Sequence, residues 1–143
     1  MTKREIKSKV NQLKRKACSS DPFDIAAALN IKVIYEPLGN VNGYYNKTLR
    51  MKQIHINEDL SPMMQMFTCA HELGHALLHP NVSTPFLRRN TLFSVDRLEK
   101  EANKFAVELM IPDEILMEYA DLTLDKMANM YGFDRRLIQL RLE

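Results

Sequence analysis

With 143 residues, 45% of them hydrophobic, the chain has enough apolar material for one core, and a net charge of +2 marks it neither as a general polyanion binder nor as an acidic tail. Its two cysteines, Cys18 and Cys69, form no Cys-x-x-Cys pair and the chain starts on a charged segment, so a secreted disulfide scaffold is not expected. No apolar run approaches the about 20 residues a membrane-spanning helix needs, and the expectation is a cytoplasmic protein without a membrane partner.

The first predicted element covers residues 3–16. Ile6, Val10, Leu13 and Ala17 share one helical stripe, while Lys3, Arg4, Lys7, Lys9, Lys14, Arg15 and Lys16 stand against the single Glu5. This is a basic amphipathic N-terminal helix within residues 1–18, read as a cap whose charged face stays in water. Contact with an acidic protein or nucleic acid is the alternative; no aromatic in the segment suggests base stacking. Asp21-Pro22 reads as the N-cap and first position of a short helix to about Leu29. Ile31 to Tyr35 alternates as a strand and ends at Pro37-Leu38-Gly39-Asn40, with further strands at Gly43 to Asn46 and Met51 to Ile56. Together they predict a small antiparallel sheet leading straight into a helix from about Leu60 to His79. His55 faces opposite to Ile54 and Ile56 and reads as a sheet-face histidine.

Inside that helix lies His71-Glu72-Leu73-Gly74-His75. Four helical residues make one turn plus about 40°, with a rise of about 6 Å, so both imidazoles emerge from one face and reach a single metal ion. Glu72 lies on the shoulder of that face, placed to accept a proton from a water that the metal activates. This is the H-E-x-x-H pattern of zinc hydrolases. Met64, Thr68 and Leu78 share the histidine face, while Met66, Cys69, Leu73 and Leu77 read as core. Gly74, about 1 kcal/mol worse than Ala in a helix, implies a neighbouring backbone passing close by.

Catalytic zinc takes three protein ligands and leaves one position open. His79, Glu99, Glu101, Glu108 and His55 are the candidates for the third. His79 continues the one-turn spacing, but three successive turns of a straight helix cannot wrap one tetrahedral ion, so it reads as a support or a helix end. In the helix predicted from Arg97 to Met110, Leu98, Ala102, Phe105 and Leu109 form the core stripe. Glu101, Lys104 and Glu108 lie on a flank that looks solvated. Glu99 lies on the other flank, polar only at Glu99 and Asn103, where a carboxylate needs a partner. Glu99 is therefore the better candidate, with an ordinary exposed glutamate as the alternative, and Asn103 is placed to accept the second ring N–H of a ligand histidine.

The run from His71 to His79, followed by Glu99-Lys100-Glu101-Ala102-Asn103-Lys104-Phe105-Ala106 and Leu109-Met110-Ile111-Pro112, resembles the ImmA/IrrE family of zinc metallopeptidases over roughly residues 20–120. The resemblance assigns the third ligand position to Glu99. It implies a gluzincin-like protease acting on a regulatory protein, often a phage-type repressor encoded beside it; no feature of spacing or composition shows that substrate.

Residues 80–95 form a long connection in which Phe86 and Phe93 either line a substrate cleft or pin the loop to the core. Beyond residue 112 a C-terminal helical segment contains Met127-Ala128, Tyr131-Gly132-Phe133 and Leu137-Ile138, resembling a helix-turn-helix with Arg135, Arg136 and Arg141 on its second helix. The short second helix favours a structural hairpin over DNA binding.

The expectation is an α+β, minimal zincin-like single domain over residues 1–143, with one zinc held by His71, His75 and Glu99 and with Glu72 as general base. Its predicted activity is endopeptidase cleavage of a helix-turn-helix repressor. A DNA- or protein-binding regulator with a structural zinc, and a zinc hydrolase of a non-peptide substrate, are the competing readings. Tyr44, Tyr45, His55, Arg88 and Tyr119 are candidate oxyanion donors.

Overall fold

A computed structural model describes residues 1–85 and 94–143, the side chains of residues 94–96 excepted. Phe86, Arg88 and Phe93, and with them half of the connection 80–95, lie outside the described residues. The elements run α1 (Lys3–Ala17), α2 (Pro22–Ala28), β1 (Lys32–Glu36), β2 (Gly43–Thr48), β3 (Met51–Asn57), α3 (Pro62–Leu78), α4 (Ser94–Met110), α5 (Asp113–Glu118), α6 (Leu124–Tyr131) and α7 (Arg135–Leu142). Side-chain caps start most of the helices: Thr2, Asp21, Ser61, Thr123 and Asp134 each accept a backbone N–H of the first turn, worth about 1 kcal/mol apiece. No helix among the described residues is long and apolar enough to cross a membrane.

The α+β class stands, but the sheet is mixed rather than antiparallel throughout. Its order is β1-β3-β2, with β1 parallel to β3 (Val33 opposite Ile54) and β2 antiparallel to β3 (Tyr45 opposite Ile54). Leu49 and Arg50, at φ 50° and 69°, give the β2–β3 hairpin the left-handed pair that a tight two-residue turn requires. The link 37–42 reaches about 20 Å when extended and spans the about 10 Å of two strand spacings, carrying the chain past the place β3 later fills. Asn57 pins it there, donating its side-chain amide to the carbonyls of Gly39 and Val41. Strand order thus depends on a loop contact between distant residues, which alternation cannot reveal.

Ile54, Ile56 and Tyr45 form the inner sheet face and pack with Cys69, Leu73 and Ala76 of α3 and Phe105 and Ala106 of α4 in one buried cluster. At Gly74 an added Cβ would stand 3.1 Å from the Ala102 Cα and 3.2 Å from the Ala102 carbonyl oxygen, so α4 is the neighbouring backbone that the glycine admits. Gly74→Ala should therefore destabilise the fold by about 1–3 kcal/mol despite alanine's better helix propensity, because helix backbone must yield. A lowered urea midpoint at unchanged slope checks this.

The C-terminal end departs from its sequence pattern. Glu108, placed on a solvated flank by periodicity, is buried, and Arg141 is buried with it at 3.5 Å. Arg141 also donates to the Ile111 carbonyl and to Asp113, which in turn pairs with Lys7, so α1, α4, α5 and α7 are tied at one point. Arg135 pairs with Asp125 at 3.5 Å and Arg136 with Asp134 at 3.0 Å. All three arginines of the helix-turn-helix-like hairpin are thus engaged within the chain.

Candidate metal centre

Helix α3 presents His71 and His75 one turn apart, the first 8% exposed and the second 0%. Across from them, α4 brings Glu99 between the two rings. Its Oε2 lies 3.1 Å from His71 Nε2 and its Oε1 lies 2.9 Å from His75 Nε2. The small pair Gly74 and Ala102 lets the two helices approach closely enough for that reach. Glu72 belongs to the same group: ligand atoms of His71, Glu72 and His75 all lie within 4.8 Å of one another. The Glu72 side chain is fully buried, and neither carboxylate oxygen has a hydrogen-bond partner among the described residues.

A supporting layer sets the rings. Asn103, one turn beyond Glu99, accepts the Nδ1–H of His71 at 2.8 Å, as its position on the α4 flank predicts. His75 Nδ1 meets His79 Nδ1 at 3.1 Å, His79 Nε2 meets Glu101 at 3.2 Å, and the Met1 ammonium donates to Glu101 at 2.8 Å. Glu101 can only accept, so a neutral His79 carries its hydrogen on Nε2 and accepts at Nδ1. His75 is then the donor at Nδ1, which leaves its Nε2 lone pair aimed toward Glu99. His79 also closes α3 as its C-cap, so both sequence readings of it hold. Glu101 as the end of this relay escaped sequence reasoning. His79→Ala should loosen bound zinc by about 10- to 100-fold, and His79→Gln, which keeps an acceptor, should recover part of that in a chelator competition.

The electrostatics agree with the geometry. Burial pushes His71 down, but the Glu99 carboxylate and the nearby Glu72 outweigh it and its pKa is raised. Glu99, although burial would raise it, is held well below the usual carboxylate range by His71 and His75. Burial lowers the pKa of His79 in spite of Glu101, consistent with the neutral form the relay needs. Burial pushes the Cys69 thiol up, marking it as core rather than ligand.

The remaining candidates are not brought to the centre. His55 stacks on Tyr44 (4.2 Å between centroids, 9° between planes) and bonds to Glu36 and Asn46 on the other side of β3 from Ile54 and Ile56. Tyr44 directs its hydroxyl at Glu36, Tyr45 donates to the Pro80 carbonyl, and Tyr119 caps α5. Arg88 lies outside the described residues. Instead Asn42, Phe67 and Thr68 line the cleft beside Glu72. Phe67 and Thr68 were legible one turn before His71; Asn42 sits in a loop and gave no signal.

Two imidazole nitrogens and one carboxylate converging beside a buried carboxylate that has no partner among the described residues fit a divalent cation with a water position beside it, zinc above all for this donor set. The comparisons point the same way. Residues 26–142 match the family described as the IrrE N-terminal-like domain. The chain is 44% identical over 139 residues to Uncharacterized immunity region protein 2 of Bacillus phage phi105, covering 95% of this chain and 88% of that protein. It is 34% identical over 119 residues to Metallopeptidase ImmA of Bacillus subtilis (strain 168), covering 82% and 69% respectively. A solved Mycobacterium tuberculosis transcriptional regulator superposes with a TM-score of 0.67 at 13% identity over 97% of this chain, and so shares the fold; this chain spans only 46% of that one. A histidine pair on one helix, its glutamate on the next and a family match across four-fifths of the length (117 of 143 residues) place the chain in the IrrE N-terminal-like, or ImmA/IrrE, family of metallopeptidases.

Proposed function

We propose that residues 1–143 form one catalytic unit, a cytoplasmic zinc-dependent regulatory endopeptidase that cleaves a helix-turn-helix repressor of a phage or mobile element. His71, His75 and Glu99 hold one zinc, and Glu72 is the general base. The observation that carries this reading is the Glu72 carboxylate, buried at 0% exposure with neither oxygen partnered among the described residues. Leaving such a group unsatisfied costs several kcal/mol, so it persists where function requires it. A purely structural zinc needs no such base, which weighs against the binding-only alternative.

When bound, zinc supplies a Lewis acid that polarises the scissile carbonyl and makes water acidic enough to attack at neutral pH. The chain's own residues do the rest. Glu72 takes the proton from the attacking water and delivers it to the leaving amine. Its burial keeps bulk water from competing for that proton. Asn103 and His79 hold the histidine rings in the tautomers that face the cation.

The substrate part of the reading is supported by the family and by the phage immunity-region name of the 44% relative. Recognition surfaces outside the centre are expected on the basic face of α1, from Lys3 to Lys16, and on the segment after Pro80. Co-expression with the repressor encoded beside it should yield defined fragments by mass spectrometry, and Glu72→Gln should yield none. Equally rapid degradation of casein would overturn the selective reading.

A further inference from the structure

His71, Glu72 and Glu99 line a cleft at the metal centre. Asn42, Phe67 and Asn103 line it, and the same three residues line a larger hollow of about 670 Å³ that continues over Met64, Leu137 and Leu140 to the α6–α7 hairpin. That volume lies in the about 300–1,000 Å³ range of sites that enclose ligand groups. Along the edge strand β2 the approach is different. The buried Thr84 hydroxyl accepts the Tyr45 N–H at 2.6 Å and lies 3.3 Å from the Tyr45 carbonyl, so the outward backbone groups of that residue are already bonded within the chain. A peptide cannot add to β2 at Tyr45 without displacing Thr84.

We propose that the hollow between Phe67 and α7 is a substrate subsite that takes an apolar side chain next to the scissile bond, with Leu137 and Leu140 as the wall that selects it. The proposal rests on the peptidase reading and deepens it. Continuity with the metal centre identifies the occupant: Asn42, Phe67 and Asn103 line both spaces, so a peptide whose carbonyl lies at Glu72 can run past them into the hollow. Its chemistry follows from the lining. Met64, Leu137 and Leu140 are partly buried apolar groups packed against the core, and Phe67 is held by Phe133 at 4.9 Å, itself stacked on Tyr131 at 5.2 Å. On the rim, Arg136 is already tied to Asp134, and Lys100 and Glu143 contribute one charge of each sign. An apolar side chain gains by covering this floor, whereas a carboxylate gains only what Lys100 on the rim offers.

The test uses the zinc-loaded protein and three zinc-chelating probes, the hydroxamates of N-acetylglycine, N-acetylleucine and N-acetylaspartate, titrated by calorimetry. The leucine probe is expected to bind about 10- to 100-fold more tightly than the glycine and aspartate probes, the range for covering one large apolar side chain. Leu137→Glu is expected to collapse the leucine-to-glycine ratio toward one. Should that variant fail to fold, Leu137→Ala, which should cut the ratio several-fold, decides the matter. Equal affinities for the three probes, or a ratio unchanged in a folded Leu137 variant, would overturn the subsite while leaving the zinc reading intact. Failure of the protein to take up zinc would overturn both.

Discussion

Glu72→Gln should retain about one zinc per chain and lose at least about 100-fold in repressor hydrolysis, the lower range for a missing acid–base group. The substitution keeps the size of the side chain and the helix around it. It removes only the basic oxygen, since an amide cannot take the proton of an attacking water. The proposed metal donors, His71, His75 and Glu99, are other side chains, so zinc content measured by mass spectrometry should not change. A second readout separates this role from a structural one. Glu72 is buried without partners among the described residues, an arrangement that costs stability, and the uncharged amide relieves part of that cost. The metal-free variant should melt no lower than the metal-free parent. Retained hydrolysis would assign the proton transfer to another group, and a lower melting point would mean that Glu72 is a structural residue.

What the sequence discloses about this site follows the reach of its interactions. His71, Glu72 and His75 are legible because one helical turn fixes their mutual geometry. Gly74 is legible as a close approach because a glycine inside a helix needs a steric reason, and Ala102 supplies it. Glu99 could be separated from Glu101 because a single helical period orients the whole of α4, even though its partners lie on another helix. Periodicity fails where a partner comes from far along the chain. Glu108 reads as solvated until Arg141 is brought against it from the last helix. The parallel pairing of β1 with β3 is invisible in alternation, which carries no strand order; the link 37–42 that goes with it is held by Asn57, from far along the chain. The arginines of α7 pair with Asp125, Asp134, Glu108 and Asp113, partners that the helix-turn-helix resemblance does not indicate.

The ligand assignment leads to the other large effect. His71→Ala or His75→Ala should abolish zinc binding, and Glu99→Ala should reduce it severely, while Glu101→Ala should leave zinc content after desalting near one per chain. The two glutamates are a close comparison: same side chain, same helix, two residues apart, both bonded to imidazole nitrogens. They differ in which imidazoles. Glu99 faces the Nε2 atoms of both His71 and His75, so removing it takes away a donor from the point where those nitrogens converge. Glu101 faces His79 and reaches the centre only through His79 and then His75. Its loss relaxes the tautomer of one ligand, which typically costs about 10- to 100-fold in affinity and shows in chelator competition rather than in metal content. Loss of Glu99 leaves two histidines, too few to hold a catalytic zinc against a chelator. Zinc stripped by Glu101→Ala and kept by Glu99→Ala would reverse the assignment, and would mean that α4 turns its other flank to the metal.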